Sequence, residues 1–195
     1  HGGGANAWTY LDGRPAAAVS GADASVMYNT LPTWYGGFTN NITYGNFDLG
    51  LIFTYSGGNY IYNGTQAGLR DQRFWNNHTD VLSRWQKEGD QTNIPRPIYG
   101  DNVSNGSAFP LDINVEKGDF LRLQNTVLGY RLPAQLFGKT GISSLRVYGQ
   151  IDNAFLLTKY SGVDPEISTN GNSNLAPGVE RNTVPQGRMY TMGVN

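Results

Sequence analysis

The sequence predicts an all-β protein of antiparallel strands, and three observations carry that expectation. The stretch from Trp34 to Ser56, WYGGFTNNITYGNFDLGLIFTYS, divides into two alternating runs hinged at Gly45-Asn46. Strand side chains alternate between faces, so two such runs joined by a Gly/Asn pair read as a tight β-hairpin. Each run has the length of a tilted membrane-spanning strand, roughly 9–11 residues, and carries aromatic residues at its ends. Connections between successive runs go very short, very long, short and long, the loop asymmetry of a transmembrane barrel. Spacing alone leaves two architectures open. A hairpin lying on the core of a soluble β-sandwich alternates in the same way.

Taken in order, residues 1–33 read as a loop segment, with a short edge strand at Ala7 to Leu11. In the hairpin, Trp34, Phe38, Ile42 and Tyr44 share one face of the first run. Phe47, Leu49, Leu51, Phe53 and Tyr55 share one face of the second, opposite Asp48, Gly50, Ile52 and Thr54. From Ser56 to Gly118 the connection far exceeds the usual limit of about 12–15 residues for a structureless loop, so it carries structure of its own. Within it, Arg70 to Gln86 places Phe74, His78, Val81, Leu82 and Trp85 on one side at helical spacing. That predicts one short amphipathic helix, closed by Glu88-Gly89-Asp90. In Phe120 to Leu132, Leu121, Leu123 and Val127 share a face while Leu128 and Tyr130 fall on the other. The conflict predicts a β-bulge near Asn125. Ser144 to Asn153 sets Leu145, Val147, Gly149 and Ile151 against Arg146, Tyr148, Gln150 and Asp152. A polar loop from Thr158 to Gln186 follows. The final run, Arg188 to Asn195, sets Tyr190, Met192 and Val194 against Met189, Thr191 and Gly193.

Composition narrows the function classes. The 195 residues include 26 Gly and 12 Tyr, are 15% charged and contain no Cys. Without Cys there is no disulfide scaffold and no Cys-built zinc site. A net charge of -1 with no basic block argues against nucleic acid as a partner. No run approaches the ~18 consecutive apolar residues of a spanning helix, which leaves barrel strands untouched as an option. Five strands cannot close a barrel, whose bacterial forms have an even number of at least about 8. With the unnatural-looking start His1-Gly2-Gly3-Gly4, this raises the expectation of a piece of a longer protein.

Four segments then occur in order: LPTWYGGFTNNITYGNFDLGLIFTYSGGNYIYN, VEKGDFLRLQNTVLGYRLP, LRVYGQIDNAFLLTKYSGVDPEI and TMGVN. Together they closely resemble the C-terminal end of the SusC/RagA family of TonB-dependent outer-membrane transporters of Bacteroidetes. The resemblance covers nearly everything from Leu31 onward. It implies a transmembrane antiparallel β-barrel, with residues 34–195 as the last ~5 strands and long extracellular loops of a 22-stranded wall. Residues 1–33 become an extracellular segment. The implied function is import of oligosaccharides or peptides across the bacterial cell outer membrane, with a SusD-like surface lipoprotein as lid and the TonB complex supplying energy. The family's N-terminal plug and TonB-contacting segment have no counterpart in these residues, so transport by residues 1–195 alone is not expected. Under this reading Phe47, Leu49, Leu51, Phe53, Leu145, Val147 and Ile151 face lipid, while Asp48, Thr54, Arg146 and Gln150 face the lumen. An Arg on the lipid face at the midplane would cost ~2–4 kcal/mol, so the side taken by Arg146 tests the phase. The rival is a soluble, secreted β-sandwich that binds glycans.

Signals of catalysis are weak. His1-Gly2-Gly3-Gly4 matches the oxyanion-loop motif of lipases, but the G-x-S-x-G elbow that motif requires is missing. His78, on the helix face with Phe74, Leu82 and Trp85, reads as a packed residue, and one His makes no metal site. Asp80, Glu88 and Asp90 near Trp75 and Trp85 invite a glycosidase reading, yet solvated charges explain them as well. No enzyme activity, cofactor or metal is expected. Tyr60, Tyr62, Trp75, Trp85 and Tyr99, flanked by Asn, Gln and Arg, are the candidates for contact with cargo or lid.

Overall fold

The computed structural model describes residues 8–9, 15–16, 26–73, 76–97, 99, 111–138, 141–142, 144–171 and 176–195. The edge strand expected at Ala7 to Leu11 is the two-residue β1 (Trp8–Thr9), paired antiparallel with β2 (Pro15–Ala16). The hairpin forms as the alternation requires, from β3 (Trp34–Tyr44) and β4 (Phe47–Gly57). At its turn Gly45 takes a φ of 58°, a left-handed conformation that costs glycine little because it has no Cβ. The chain divides into two compact units. One, the strand unit, comprises Leu31–Asn59, Lys117–Glu166 and Val184–Asn195; the other, the loop unit, comprises His1–Thr30, Tyr60–Glu116 and Ile167–Thr183.

In the loop unit the long connection is structured, as its length demands. Strand β5 (Tyr60–Asn63) runs into helix α1 (Gly64–Leu69), and β6 (Val115–Lys117) follows. The strand unit continues with β7 (Phe120–Leu132) and β8 (Leu145–Thr158). Strand β9 (Val179–Glu180) then returns to the loop unit and pairs in parallel with β5, giving a three-stranded sheet in the order β6-β5-β9. Finally β10 (Met189–Val194) completes a five-stranded antiparallel sheet, ordered β10-β8-β7-β4-β3. Among the described residues β3 and β10 are its two edges.

Register sorts the side chains of this sheet onto two faces, since residues directly opposite one another point the same way. Phe38 pairs with Phe53, which pairs with Leu123, which pairs with Phe155, so one row crosses four strands. The Phe38 and Phe53 rings stack at 4.5 Å, and Phe155 meets Phe53 edge-on at 6.5 Å. Each such pair contributes ~0.5–1.5 kcal/mol beyond its buried area. Leu49, Leu128, Val147, Ile151, Tyr190, Met192 and Val194 lie on the same face, interrupted by Asn40 and Thr126 on either side of Leu51. Aromatic side chains mark both ends of this face. Tyr44, Phe47 and Tyr130 stand at the short-turn end, and Trp34 meets Tyr55 at the long-loop end. From Trp34 to Tyr44 the strand covers about 33 Å at ~3.3 Å per residue. Tilted by ~40°, that spans ~25 Å, the height of the apolar band of a membrane barrel.

The expected bulge is present. Between Leu123 and Asn125 the register against β4 slips, leaving Gln124 as the extra residue. This carries Leu128 and Tyr130 back to the face of Leu121 and Leu123, and sends Val127 to the opposite face. Against that one residue β8 sets two, Asn153 and Ala154, with Asn153 at a φ of 52°. The sequence expectation ended this strand at Asn153. The structure corrects it: the lost alternation there is a bulge, and the strand runs on to Thr158.

A second correction concerns the helix. Among the described residues no α-helix forms over Arg70 to Gln86; α1 lies just before it, and within the stretch Thr79–Ser83 makes a 3-10 turn. The cause is competition from short polar side chains. Asn63 Oδ1 accepts the Gln66 N–H at 2.8 Å and starts α1 early. Asn77 Nδ2 then donates to the Leu69 and Asp71 carbonyls, and Asp71 accepts the Arg73 N–H, which ends the helical path. His78 is correspondingly exposed rather than packed, and its Nδ1 caps the 3-10 turn by accepting the Asp80 N–H.

Candidate functional site

Opposite its apolar face the sheet is polar, and Arg146 and Arg122 there are paired with acids. Thr43 with Asp48, Gly37 with Thr54, Val127 with Gln150 and Arg131 with Arg146 all occupy that face by register. The four residues expected there, Asp48, Thr54, Arg146 and Gln150, are therefore together, and Arg146 does not point to the apolar side. Its guanidinium reaches across β7 to Asp48 with a two-pronged contact, Nε to Oδ1 at 2.8 Å and Nη2 to Oδ2 at 2.5 Å. Gly129 makes the crossing possible, because a Cβ there would collide with the guanidinium. Thr39, Asn41, Thr43, Gly50 and Asn125 line the same open recess, about 300 Å³ in volume.

Further along this face a buried ionic cluster went unread in the sequence. Arg122, its side chain 4% exposed, lies 2.6 Å from Asp164 Oδ1 and 2.6 Å from Glu166 Oε2. The Asp164 contact is a hydrogen bond, whereas the Nε contact with Glu166 is an ion pair without hydrogen-bond alignment. A signal existed: an Arg inside the strand FLRL requires a partner, and the DPE of the following loop supplies two acids. Between the two charge centres Asp152 accepts from Asn125 at 2.6 Å and from Gln150 at 3.0 Å.

The loop unit holds the aromatic candidates. Tyr60 and Tyr62 alternate with buried Ile61 and Asn63, so both project from one face of β5 and are half-buried. Tyr60 packs against Tyr28 at 4.5 Å. Burial pushes the Tyr62 phenol up, with nearby Arg181 opposing. Trp85 is half-buried under the Arg96 guanidinium, 5.3 Å from its ring centre, and Tyr99 is fully exposed. Trp75 lies outside the described residues. Beside Tyr62's strand opens a recess of about 560 Å³ lined by Thr65, Asp71, Arg73, Asn76, Arg181 and Asn182, with Gly64, Gly68 and Leu69. None of the lining residues was picked from the sequence, because β5 and β9 are brought together from distant segments.

Of the three carboxylates that invite a glycosidase reading, Asp80 and Asp90 are engaged by other groups. Asp80 takes Arg70 Nε at 2.8 Å and Gln66 Nε2 at 2.9 Å. Burial pushes its carboxyl up, but the hydrogen bond and charge of Arg70 pull the other way, and it lies below the usual range. Asp90 caps its own turn through the Lys87 and Gln86 N–H groups, which also hold it down. A glycosidase acid needs the opposite shift.

No family model matches the chain. Among curated proteins it is similar to TonB-dependent receptor P3 of Formosa agariphila, 33% identical over 189 residues that cover 95% of this chain and 18% of that protein. It is also similar to TonB-dependent receptor SusC of Bacteroides thetaiotaomicron, 26% identical over 82% of this chain and 14% of that one. Among solved structures, the RagAB peptide transporter superposes with a TM-score of 0.75 and 25% identity, over 92% of this chain and 19% of the other. The RagAB peptide importer in its open-open state gives a TM-score of 0.74 over 97% of this chain, at 24% identity. The chain thus spans under a fifth of the length of these curated relatives.

Proposed function

Because this chain belongs to the SusC/RagA family of TonB-dependent receptors, we propose that it forms a C-terminal sector of the wall and mouth of an outer-membrane nutrient importer. One observation carries the reading: the five-stranded sheet has one apolar face left exposed and an opposite face that is polar, with Arg146 paired to Asp48. A soluble sandwich would bury Phe38, Leu128 and Val147 against a second sheet; here they are 46%, 53% and 44% exposed. In the proposed setting that face meets outer-membrane lipid, and the face of Asp48, Thr54, Arg146 and Gln150 lines the lumen. Residues 34–195 supply strands and loops, and residues 1–33 an extracellular segment. Cargo is an oligosaccharide or peptide, captured beneath a SusD-like lipoprotein and admitted when the TonB complex displaces a plug carried by another part of the protein. In this sector Tyr60, Tyr62, Trp75, Trp85 and Tyr99 offer the flat surfaces that such cargo or lid would touch.

Fractionation tests this. The complete receptor is expected in the outer membrane as a detergent-soluble, heat-modifiable barrel that carries a surface lipoprotein. Residues 1–195 expressed alone are expected to aggregate in water. A monodisperse, folded β-protein from these residues without detergent would overturn the barrel reading and favour the glycan-binding sandwich.

A further inference from the structure

We propose that the recess beside β5 is a subsite for a carboxylate group, with Arg181 as its charged anchor. The proposal rests on the importer reading and names a chemical class for its cargo. Three features of the loop unit lead there. The recess, about 560 Å³, is within the range of small-ligand sites, and its wall is mostly polar: Thr65, Asn76 and Asn182 beside the charged groups. Its acids are already engaged. Asp71, 1% exposed, is clasped by Arg73 through Nε at 2.8 Å and Nη2 at 2.5 Å. Glu180, equally buried, takes hydrogen bonds from Thr65 Oγ1 at 2.9 Å and from Thr183 Oγ1 at 2.8 Å, behind the recess wall. Among the described residues no hydrogen bond or ion pair occupies the Arg181 guanidinium, although its backbone N–H is fixed by Thr169 at 2.6 Å.

The recess therefore presents one exposed guanidinium, unpaired among the described residues, on a stem held in place. Placement follows from the strand pairing: Tyr62 faces Val179 and Asn63 faces Glu180, so Arg181 emerges where β9 ends and α1 begins. Its Cβ and Cγ lie against Gly64, where a larger residue would push the arm aside. A guanidinium presents parallel N–H donors that match the two oxygens of a carboxylate, and the side-chain amides of Asn76 and Asn182 can bind flanking hydroxyl or peptide groups. An acidic sugar and the C-terminus of a peptide both offer this group.

Calorimetry on the complete receptor in detergent tests the proposal with two matched pairs: trigalacturonic acid against its methyl ester, and trialanine against its C-terminal amide. The expected result is a two- to fivefold preference for the free acid in one pair, about the order expected of an exposed ion pair. The pair that shows it identifies sugar or peptide as the source. Arg181→Gln abolishes that preference and leaves the neutral analogue unchanged, while Arg181→Lys keeps part of it. Preference that survives Arg181→Gln, or no discrimination in either pair, overturns the proposal. So does a variant that leaves all four ligands unchanged and weakens only lipoprotein binding, which would make the recess a docking point for the lid. Failure of the importer reading shows separately, as a receptor that is not heat-modifiable.

Discussion

At the scale of single residues, paired charges fix loops to strands. Arg122 is the sharpest case, since its guanidinium is buried with two acids around it. Removing one partner of a buried pair leaves the others uncompensated, which costs about 3–5 kcal/mol. Arg122→Ala is therefore expected to lower the unfolding transition of the complete receptor in detergent by that amount. Adding Asp164→Asn and Glu166→Gln to the same variant is expected to recover part of the loss. Asp80 gives a pH dependence. Its carboxyl is held below the usual range in the folded protein, so its contribution is fully present above about pH 4 and is lost as pH falls through the depressed value. Amide protection over Gly64–Leu69, taken relative to the intrinsic exchange rate, should fall on acidification below about pH 4, and Asp80→Asn should show the lowered protection at every pH.

At the scale of elements, phase decides what a strand does. The Gln124 bulge allows Leu121, Leu123, Leu128 and Tyr130 to share one face although their spacing in sequence forbids it. A one-residue slip moves every following side chain to the opposite face. Deleting Gln124 should thus turn Leu128 and Tyr130 toward the polar side, detach Arg146 from Asp48 and abolish the heat-modifiable form. Gln124→Ala, which keeps the count, should change stability by less than about 0.5 kcal/mol. Elements also show where sequence reading succeeds. The hairpin was legible because alternation and a Gly/Asn turn are local signals, and the bulge because a phase conflict is visible in one strand. The helix was misplaced because an apolar stripe at helical spacing is outweighed by Asn63, Asp71 and Asn77, whose side chains take the backbone groups a helix would use.

At the scale of the molecule, the sequence made the sheet legible and the loop unit largely opaque. The sheet follows from periodicity, which each strand carries within itself. The loop unit follows from pairings between distant segments: β5 with β9, Thr65 with Glu180, and Asn63 with Glu116. Nothing periodic announces them, and the recess with Arg181 is their product. Asn63 shows how context overrides motif: Asn63-Gly64-Thr65 has the N-x-[ST] pattern of a glycosylation acceptor, yet Asn63 is 1% exposed and its side chain caps α1.

The two edges of the five-stranded sheet set a condition on biogenesis. Phe38, Leu128 and Met192 make this sheet costly in water; in hydrocarbon β3 and β10, its edges among the described residues, would bring bare peptide groups, each costing several kcal/mol. Neither solvent accepts it alone. In the proposed barrel wall, such a segment would need an escort from synthesis to membrane, with neighbouring strands zipped onto both borders before lipid closes around it.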